Sequence, residues 1–191
     1  SGIGPGDRVV SFLPNIPQAL VAFLAANACG AVWSSCSPDF GVASVVERFQ
    51  QIEPKLLFVA DGYRYNGKAY DRQPQARELV AALPSLEQVI FLPYLDSAAT
   101  PGDLPQAYSW QEVLAGPEAP LAFERVPFAH PIWVLYSSGT TGQPKAITHS
   151  VGGILLEHHK ALVFHQNCRP GDRFFWYSTT GWMMWNYASS A

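Results

Sequence analysis

The sequence predicts an α/β fold in which a mainly parallel sheet is flanked by helices. Short apolar runs alternate with segments of helical spacing along residues 1–92, an order typical of strand–helix–strand units. The runs are mostly apolar rather than alternating, as expected of strands buried on both faces. A chain of 191 residues, 48% of them hydrophobic, is long enough for a real core or for part of a larger one.

The first five elements follow one another without interruption. A strand over residues 9–13 is entered from the turn-forming run Gly-Pro-Gly-Asp. A helix over 17–30 comes next, with Pro17 suited to its first turn and Gly30 to its C-terminal cap. A strand at 31–34, a helix at 42–49 and a strand at 55–60 complete a β-α-β-α-β order, which predicts parallel strands joined by crossover helices.

The later elements are more widely spaced. We expect a helix at 75–83, a strand at 88–92, a strand at 132–136, a helix at 153–164 and a strand at 173–177. Residues 93–131 are rich in Pro, Ala and Gly and are expected to cross the surface. The chain therefore divides into a βαβ-type region at 1–92, a surface connection at 93–131 and a third region at 132–191.

Composition excludes several classes of protein. A net charge of -3 and the absence of a Lys/Arg-rich run argue against nucleic-acid binding. No apolar stretch approaches the roughly 20 residues of a membrane span. Three cysteines without CxxC spacing argue against a disulfide framework or a zinc site, and favour a reducing cytoplasm. The first and last residues carry no start or stop signal, so we expect a piece of a longer protein.

The segment with the clearest chemistry is YSSGTTGQPK, residues 136–145. Two glycines allow close approach of backbone N–H groups to an anion. Four hydroxyls can donate to phosphate oxygens or meet a bound Mg²⁺, and Lys145 adds a positive charge that Pro144 holds near. The residues concerned are Ser137, Ser138, Gly139, Thr140, Thr141, Gly142 and Lys145. Their chemistry predicts a cradle for a polyphosphate.

This loop is not a Walker A motif. That motif requires G-x-x-x-x-G-K-[ST], whereas Gly139 and Gly142 are three residues apart and Ala146 follows the lysine. Kinases and ordinary P-loop NTPases are thereby disfavoured. The remaining alternative is a Ser/Thr/Gly-rich surface turn without a ligand, although such turns rarely combine paired glycines, four hydroxyls and a Pro-Lys end.

The loop resembles the signature of the adenylate-forming superfamily, which includes acyl-CoA synthetases, luciferases and peptide-synthetase adenylation domains. Residues 2–40 resemble its opening βαβ region and residues 169–186 the segment before its acyl pocket. DGYRYNGKAYDR and TTGWMMWN resemble the acetoacetyl-CoA synthetases in particular. The resemblance identifies the chain as an incomplete N-terminal adenylation (AMP-binding) domain, and implies activation of a short carboxylic acid, acetoacetate, with ATP, Mg²⁺ and CoA.

The resemblance also implies roles for residues. The seven cradle residues would hold the β- and γ-phosphates of ATP, with Thr140 and Lys145 catalytic and Thr140 near the Mg²⁺ that ATP carries. Trp182, Met183 and Met184 would line the substrate pocket, whereas Trp185 is expected in the core. Arg64, Lys68, Asp39 and Phe40 would contact CoA, although a solvated Arg and Lys on a loop is the simpler alternative.

Histidines contribute less. His149 could serve as a general base, but a substrate carboxylate is already ionised near neutral pH, so a structural or pocket-orienting role is expected. Ser150 beside it is a candidate N-cap. His158, His159 and His165 lack an acidic or cysteine ligand set, and no metal site is expected there.

Two other functions stay open. The protein could be an acetyl- or propionyl-CoA synthetase, or a non-catalytic nucleotide-binding module that keeps only the cradle. The superfamily's later Tyr-Gly-x-Thr-Glu segment, ribose-binding Asp, hinge and C-terminal lid do not occur in this sequence. We therefore expect the 191 residues alone to be inactive and to fold poorly.

Overall fold

The computed structural model of the chain describes residues 2–137 and 142–190. In chain order the elements are β1 (Arg8–Phe12), α1 (Pro17–Ala28), β2 (Val32–Ser35), α2 (Val42–Phe49), β3 (Leu56–Ala60), β4 (Gly62–Tyr65), β5 (Lys68–Asp71), α3 (Gln73–Ala82), β6 (Gln88–Leu92), β7 (Ala107–Ser109), α4 (Trp110–Leu114), β8 (Pro131–Ser137), β9 (Lys145–Ser150), α5 (Val151–Lys160) and α6 (Met183–Ser190). A 3₁₀ turn at Gln50–Ile52 follows α2, and a π-helical turn at Ala161–His165 follows α5.

Seven strands form one sheet in the order β7-β6-β3-β1-β2-β8-β9. All neighbours are parallel except β8 and β9, which are antiparallel. The predicted α/β class with a mainly parallel sheet is therefore confirmed. Strands β4 and β5 form a separate antiparallel hairpin beyond the carboxyl end of β3.

The central strands are buried on both faces, which explains their continuous apolar sequence. Val9 and Val10 on β1 are both buried yet belong to different core clusters, because successive side chains point to opposite faces. One cluster packs around Phe23 of α1, and the other around Phe49 of α2. Each fully buried side chain of this size contributes about 1.5–3 kcal/mol of hydrophobic free energy.

Two corrections concern the third region. The strand expected at 173–177 is wrong, since these residues form no regular element and Phe175 is exposed. Their apolar run reads as a strand, but none of the described strands lies beside it to complete a ladder. The second is that an unpredicted strand, β9, lies between the loop at 136–145 and the helix expected at 153–164; β9 pairs with β8, and α5 begins at Val151.

Strands β4, β5, β7 and β9 and helices α4 and α6 were not predicted. The hairpin β4–β5 turns at Asn66 and Gly67, whose φ angles of 48° and 75° are both positive. In the connection at 93–131, β7 extends the sheet and Trp110 of α4 packs against Phe58. Within the described ranges, no helix is both long and apolar enough to cross a bilayer.

Candidate active site

The expected phosphate loop lies between the two strands of a hairpin. Ser137 at the end of β8 is paired with Lys145 at the start of β9. Gly142 has a φ of 94°, a conformation that glycine adopts without strain. Ser138, Gly139, Thr140 and Thr141 lie outside the described residues. Lys145, at the end of the loop, begins a strand rather than a helix, and its ammonium group adds positive charge there.

Helix α2 and the turn after it contact both ends of the loop. Gln51, in the turn after α2, donates from Nε2 to the carbonyl oxygen of Pro144 over 2.9 Å. The hydroxyl of Tyr136 donates to the carbonyl oxygen of Arg48 over 2.7 Å. Lys145 is exposed, and within the described residues no carboxylate lies within ion-pair distance of its ammonium group. That charge is therefore available to an anionic ligand.

His149 has a defined structural partner. The indole N–H of Trp133 donates to His149 Nδ1 over 2.9 Å. Because an indole nitrogen can only donate, the neutral imidazole carries its proton on Nε2. The neighbouring Ser150 accepts from the backbone N–H of Gly153 over 3.2 Å, which confirms it as the N-cap of α5.

The turn before α6 is tied to the carboxyl edge of the sheet. Thr180 Oγ1 donates to the carbonyl oxygen of Leu13, just after β1, over 2.7 Å. Ser35 Oγ, at the end of β2, donates to the carbonyl oxygen of Thr180 over 2.5 Å. Trp182 and Met183 follow this turn, so their positions relative to the sheet are fixed by both bonds.

The structure places the three predicted pocket residues on two cavities. Trp182, 64% exposed, lines a cavity of about 350 Å³. Met184 lines a mainly apolar cavity of about 640 Å³ together with His149. Met183 lies on the walls of both. Trp185 is 5% exposed and donates from Nε1 to an asparagine side chain, so its predicted core position is confirmed.

The smaller cavity has a neutral thiol and phenol beside one cation. Burial raises the pKa of Cys36 to about 12, against a minor opposing effect of Arg48. Burial likewise raises the pKa of Tyr136 above its usual range. The Arg48 guanidinium lies over the rings of Phe40 and Tyr136, 5.5 and 5.9 Å from their centroids. Cys36 is thus a packing group rather than a nucleophile.

A third cavity, of about 570 Å³, opens at the carboxyl ends of the strands. One wall comes from the segment after β2 and includes Asp39. A second wall comes from the β4–β5 hairpin and includes Arg64, and residues 14–16, Tyr94 and residues 177–179 complete the lining. Phe40 lies on the smaller cavity with Trp182, and Lys68, on β5, lines neither of these two. In open α/β sheets such carboxyl-edge crevices are the usual ligand sites.

Two residues that support this cavity were not singled out from the sequence. Asp61 is 2% exposed, and its carboxylate accepts from the backbone N–H groups of Tyr94, Leu95 and Asp96 at 2.8–3.0 Å. Arg72 donates hydrogen bonds to Pro38 on one wall of the cavity and to Tyr63 on another. The signal for Asp61 was its position, a carboxylate directly after a buried strand, whereas the partners of Arg72 are too distant in sequence to be anticipated.

No group of three or more histidine, cysteine or acidic side chains within the described ranges is arranged to hold a metal ion. The three cysteines are free thiols. Among the residues that the structure describes, no metal cage built from protein side chains alone is therefore present.

Comparisons with known proteins agree with this geometry. The model of the family described as "AMP-binding enzyme" matches residues 1–188. The acetoacetyl-coenzyme A synthetase of Rhizobium meliloti (strain 1021) is 48% identical over 191 residues, which cover 99% of this chain and 29% of that protein. The acetoacetyl-CoA synthetase of Gallus gallus is 45% identical over 196 residues, covering 100% of this chain and 29% of that protein.

The solved structure of acetoacetyl-CoA synthetase from Streptomyces lividans superposes with a TM-score of 0.91 at 56% identity, covering 99% of this chain and 28% of that one. The chain therefore spans less than a third of the length of the relatives that it matches. Because the family model covers nearly all of it, the chain belongs to the AMP-binding enzyme family.

Proposed function

We propose that the complete protein containing this chain is an acid–thiol ligase that joins acetoacetate to CoA with ATP. A carboxylate oxygen attacks the α-phosphorus of ATP, and the bond to pyrophosphate breaks. The sulfur of CoA then attacks the carbonyl carbon of the acyl-adenylate, and AMP leaves. The substrate assignment rests on the similarity to three acetoacetyl-CoA synthetases at 45–56% identity over essentially the whole chain.

The proposal rests mainly on how the two ends of the loop at 136–145 are held in the structure. Its two ends are held by the Ser137–Lys145 pair and by the Gln51–Pro144 bond, while the Lys145 ammonium has no carboxylate within reach among the described residues. An exposed cation beside hydroxyls and a glycine of positive φ suits a polyphosphate. Catalysis of this kind depends on positioning and charge stabilisation rather than on a protein nucleophile.

Each residue of the site has a proposed role. The β- and γ-phosphates of ATP are held by the seven cradle residues, Ser137, Ser138, Gly139, Thr140, Thr141, Gly142 and Lys145. Two of these, Thr140 and Lys145, act on the departing pyrophosphate. Mg²⁺ arrives with ATP, and Thr140 lies near it. Trp182, Met183 and Met184 line the acyl site, while Arg64, Asp39, Phe40 and Lys68 face CoA. We further propose that the 191-residue segment is inactive by itself, and that the protein works in the reducing cytoplasm, as its three free thiols favour.

ATP–pyrophosphate exchange on the complete protein tests the function. Acetoacetate, acetate, propionate and butyrate are compared in parallel, without CoA. Exchange driven best by acetoacetate is expected. Exchange driven best by another acid would keep the chemistry and change the substrate, and no exchange with any acid would leave the non-catalytic nucleotide-binding module as the better explanation.

Lys145→Ala tests the cradle within the same assay. Losing one charge that stabilises the transferring phosphates is expected to lower exchange by about 100-fold or more, the usual effect of removing one such group. Lys160→Ala is the matched control, since Lys160 is exposed on α5 and pairs with Glu157 at 2.7 Å. Equal exchange by both variants would remove Lys145 from the reaction.

A further inference from the structure

We propose that Arg72 is a positioning residue that sets the gap between the two walls of the 570 Å³ cavity, and through it the affinity for CoA. This inference rests on the proposed function, because it concerns the second half-reaction of that ligase. Arg72 does not itself line the cavity. It acts through the residues that do.

Each wall depends on a contact with the Arg72 guanidinium. On one side, Nε donates to the carbonyl oxygen of Pro38, in the segment after β2, over 2.8 Å. On the other side, a terminal nitrogen donates to the hydroxyl of Tyr63, on β4, over 3.3 Å. Pro38 and Tyr63 both line the cavity. One planar side chain therefore spans the two walls.

The hairpin is stiffened around the same contact. The guanidinium carbon lies 5.1 Å from the centroid of the Tyr63 ring, within cation–π range. The Tyr63 and Tyr70 rings stack at 4.9 Å with an interplanar angle of 12°, and the two residues are paired across the β4–β5 ladder. The backbone N–H of Arg72 donates to the carbonyl oxygen of Asp61 over 2.7 Å, which fixes where the side chain starts.

This support places Arg64 for an anionic ligand. Arg64 is the next residue on β4 after Tyr63, it is exposed, and it lines the cavity, as Asp39 does. A shift of the hairpin away from Pro38 would move the Arg64 charge relative to the other wall. Displacements of about 1 Å at a binding site cost up to about 100-fold in rate. The phosphate-bearing end of CoA is the ligand class that such a cation recognises.

Lysine cannot replace this arginine. An ammonium group is a compact point charge that lacks the planar fork needed to bond two walls at fixed angles while staying within cation–π distance of the Tyr63 ring. Arg72→Lys therefore keeps the charge and removes the geometry. Among the described residues, the hydrogen bonds at the ends of the β8–β9 loop are donated by Gln51 and Tyr136, and neither involves Arg72.

The test separates the two half-reactions of the complete protein. In Arg72→Lys we expect the KM for CoA to rise by about tenfold in thioester formation, as two directed hydrogen bonds are lost, while ATP–pyrophosphate exchange without CoA changes by less than about twofold. Arg77→Lys is the matched control, since its guanidinium forms an exposed ion pair with Asp103 at 2.9 Å; both readouts should stay at wild-type values.

Three outcomes overturn the inference. An unchanged KM for CoA shows that Arg72 does not set the cavity, and a fall in exchange as large as the loss in thioester formation shows a merely structural role. Absence of exchange in the wild-type protein removes the proposed function and this inference with it. If Arg72→Lys does not fold, Tyr63→Phe deletes only the hydroxyl that accepts from Arg72, and the KM for CoA should still rise by about threefold; no rise contradicts the proposal.

Discussion

Removing the Asp61 carboxylate should release the turn that follows β6. The carboxylate receives three backbone N–H groups in four contacts: Oδ1 from Tyr94 and Leu95, both at 2.8 Å, and Oδ2 from Leu95 at 3.0 Å and Asp96 at 2.8 Å. With only 2% of the residue exposed, water does not compete for these donors. The carboxylate therefore holds residues 94–96 against the end of β3.

The size of the effect follows from the number of donors. Hydrogen bonds to a charged group contribute about 1.5–3 kcal/mol each, which gives about 4–9 kcal/mol for three donors if they were additive. Bonds that share one acceptor are not additive, and water enters once the carboxylate is gone, so about 3–5 kcal/mol is a realistic loss in Asp61→Ala. At 1.36 kcal/mol per tenfold change, amide protection should fall by about 150- to 5,000-fold.

Native-state hydrogen exchange on the complete protein measures this loss at the amides of residues 94–96. Asp61→Asn should give an intermediate loss, since one carbonyl oxygen remains but the amide nitrogen faces a backbone donor. Asp103→Asn is the control, because its carboxylate lies in an exposed ion pair with Arg77. Exchange at residues 94–96 in Asp61→Ala within about threefold of the wild type would refute the reasoning.

Two further predictions concern the hairpin and the start of the chain. In Gly62→Ala, the new methyl carbon would lie 2.2 Å from the backbone oxygen of Tyr70, so the free energy of unfolding should fall by about 1–3 kcal/mol and the melting temperature with it. Gly41→Ala is the control, because its Cβ would meet open space and the melting temperature should not change. Equal melting temperatures of the two variants would contradict this prediction. Asp7→Asn removes a 2.9 Å ion pair with Lys55. The hydrogen bond from Lys55 holds the pKa of Asp7 below its usual 3.8, so the ion pair stabilises the folded state above pH 3.8. This stabilisation is lost as the pH falls and the carboxylate is protonated. The variant should melt about 1–3 °C lower at neutral pH, the difference should shrink as the pH falls below 3.8, and a difference that stays constant in acid would contradict the assignment.

The sheet could be predicted because its central strands are buried on both faces. Continuous apolar runs bounded by Gly, Pro and Asp located β1, β2, β3 and β6 to within one or two residues. Pro17 and Gly30 marked the ends of α1 for stated stereochemical reasons, and Gly30 has a φ of 72°. These signals are local, so no tertiary context was needed.

The β4–β5 hairpin and α4 each have a local sequence signal that is typical of their structure. Asn66-Gly67 is a typical two-residue hairpin turn, and it joins β4 to β5. Ser109 and Glu112 form a capping box, with reciprocal bonds of 3.2 and 2.6 Å, at the start of α4. Both occur in polar, exposed stretches, where the apolar pattern gives no support.

The rest depends on contacts that are distant in sequence. Strand β9 is mostly exposed and exists only because it pairs with β8. The bonds from Trp133 to His149, from Ser35 to Thr180 and from Arg72 to Pro38 join elements whose proximity the sequence alone does not specify. The roles of the cradle, pocket and CoA-facing residues remain predictions, to be decided by the kinetic tests above.

The hairpin that holds the phosphate loop has a consequence for how the loop can change. The paired strands β8 and β9 already hold Ser137 and Lys145 together. The hydrogen bonds between these strands therefore offset the chain entropy that is lost when the connection at 138–144 is closed. Adding one residue to these seven would raise the closure cost by only about 0.1 kcal/mol. The length of this loop is therefore almost free of folding constraints. Insertions that abolish activity while leaving melting unchanged would identify its length as a requirement of the ligand alone.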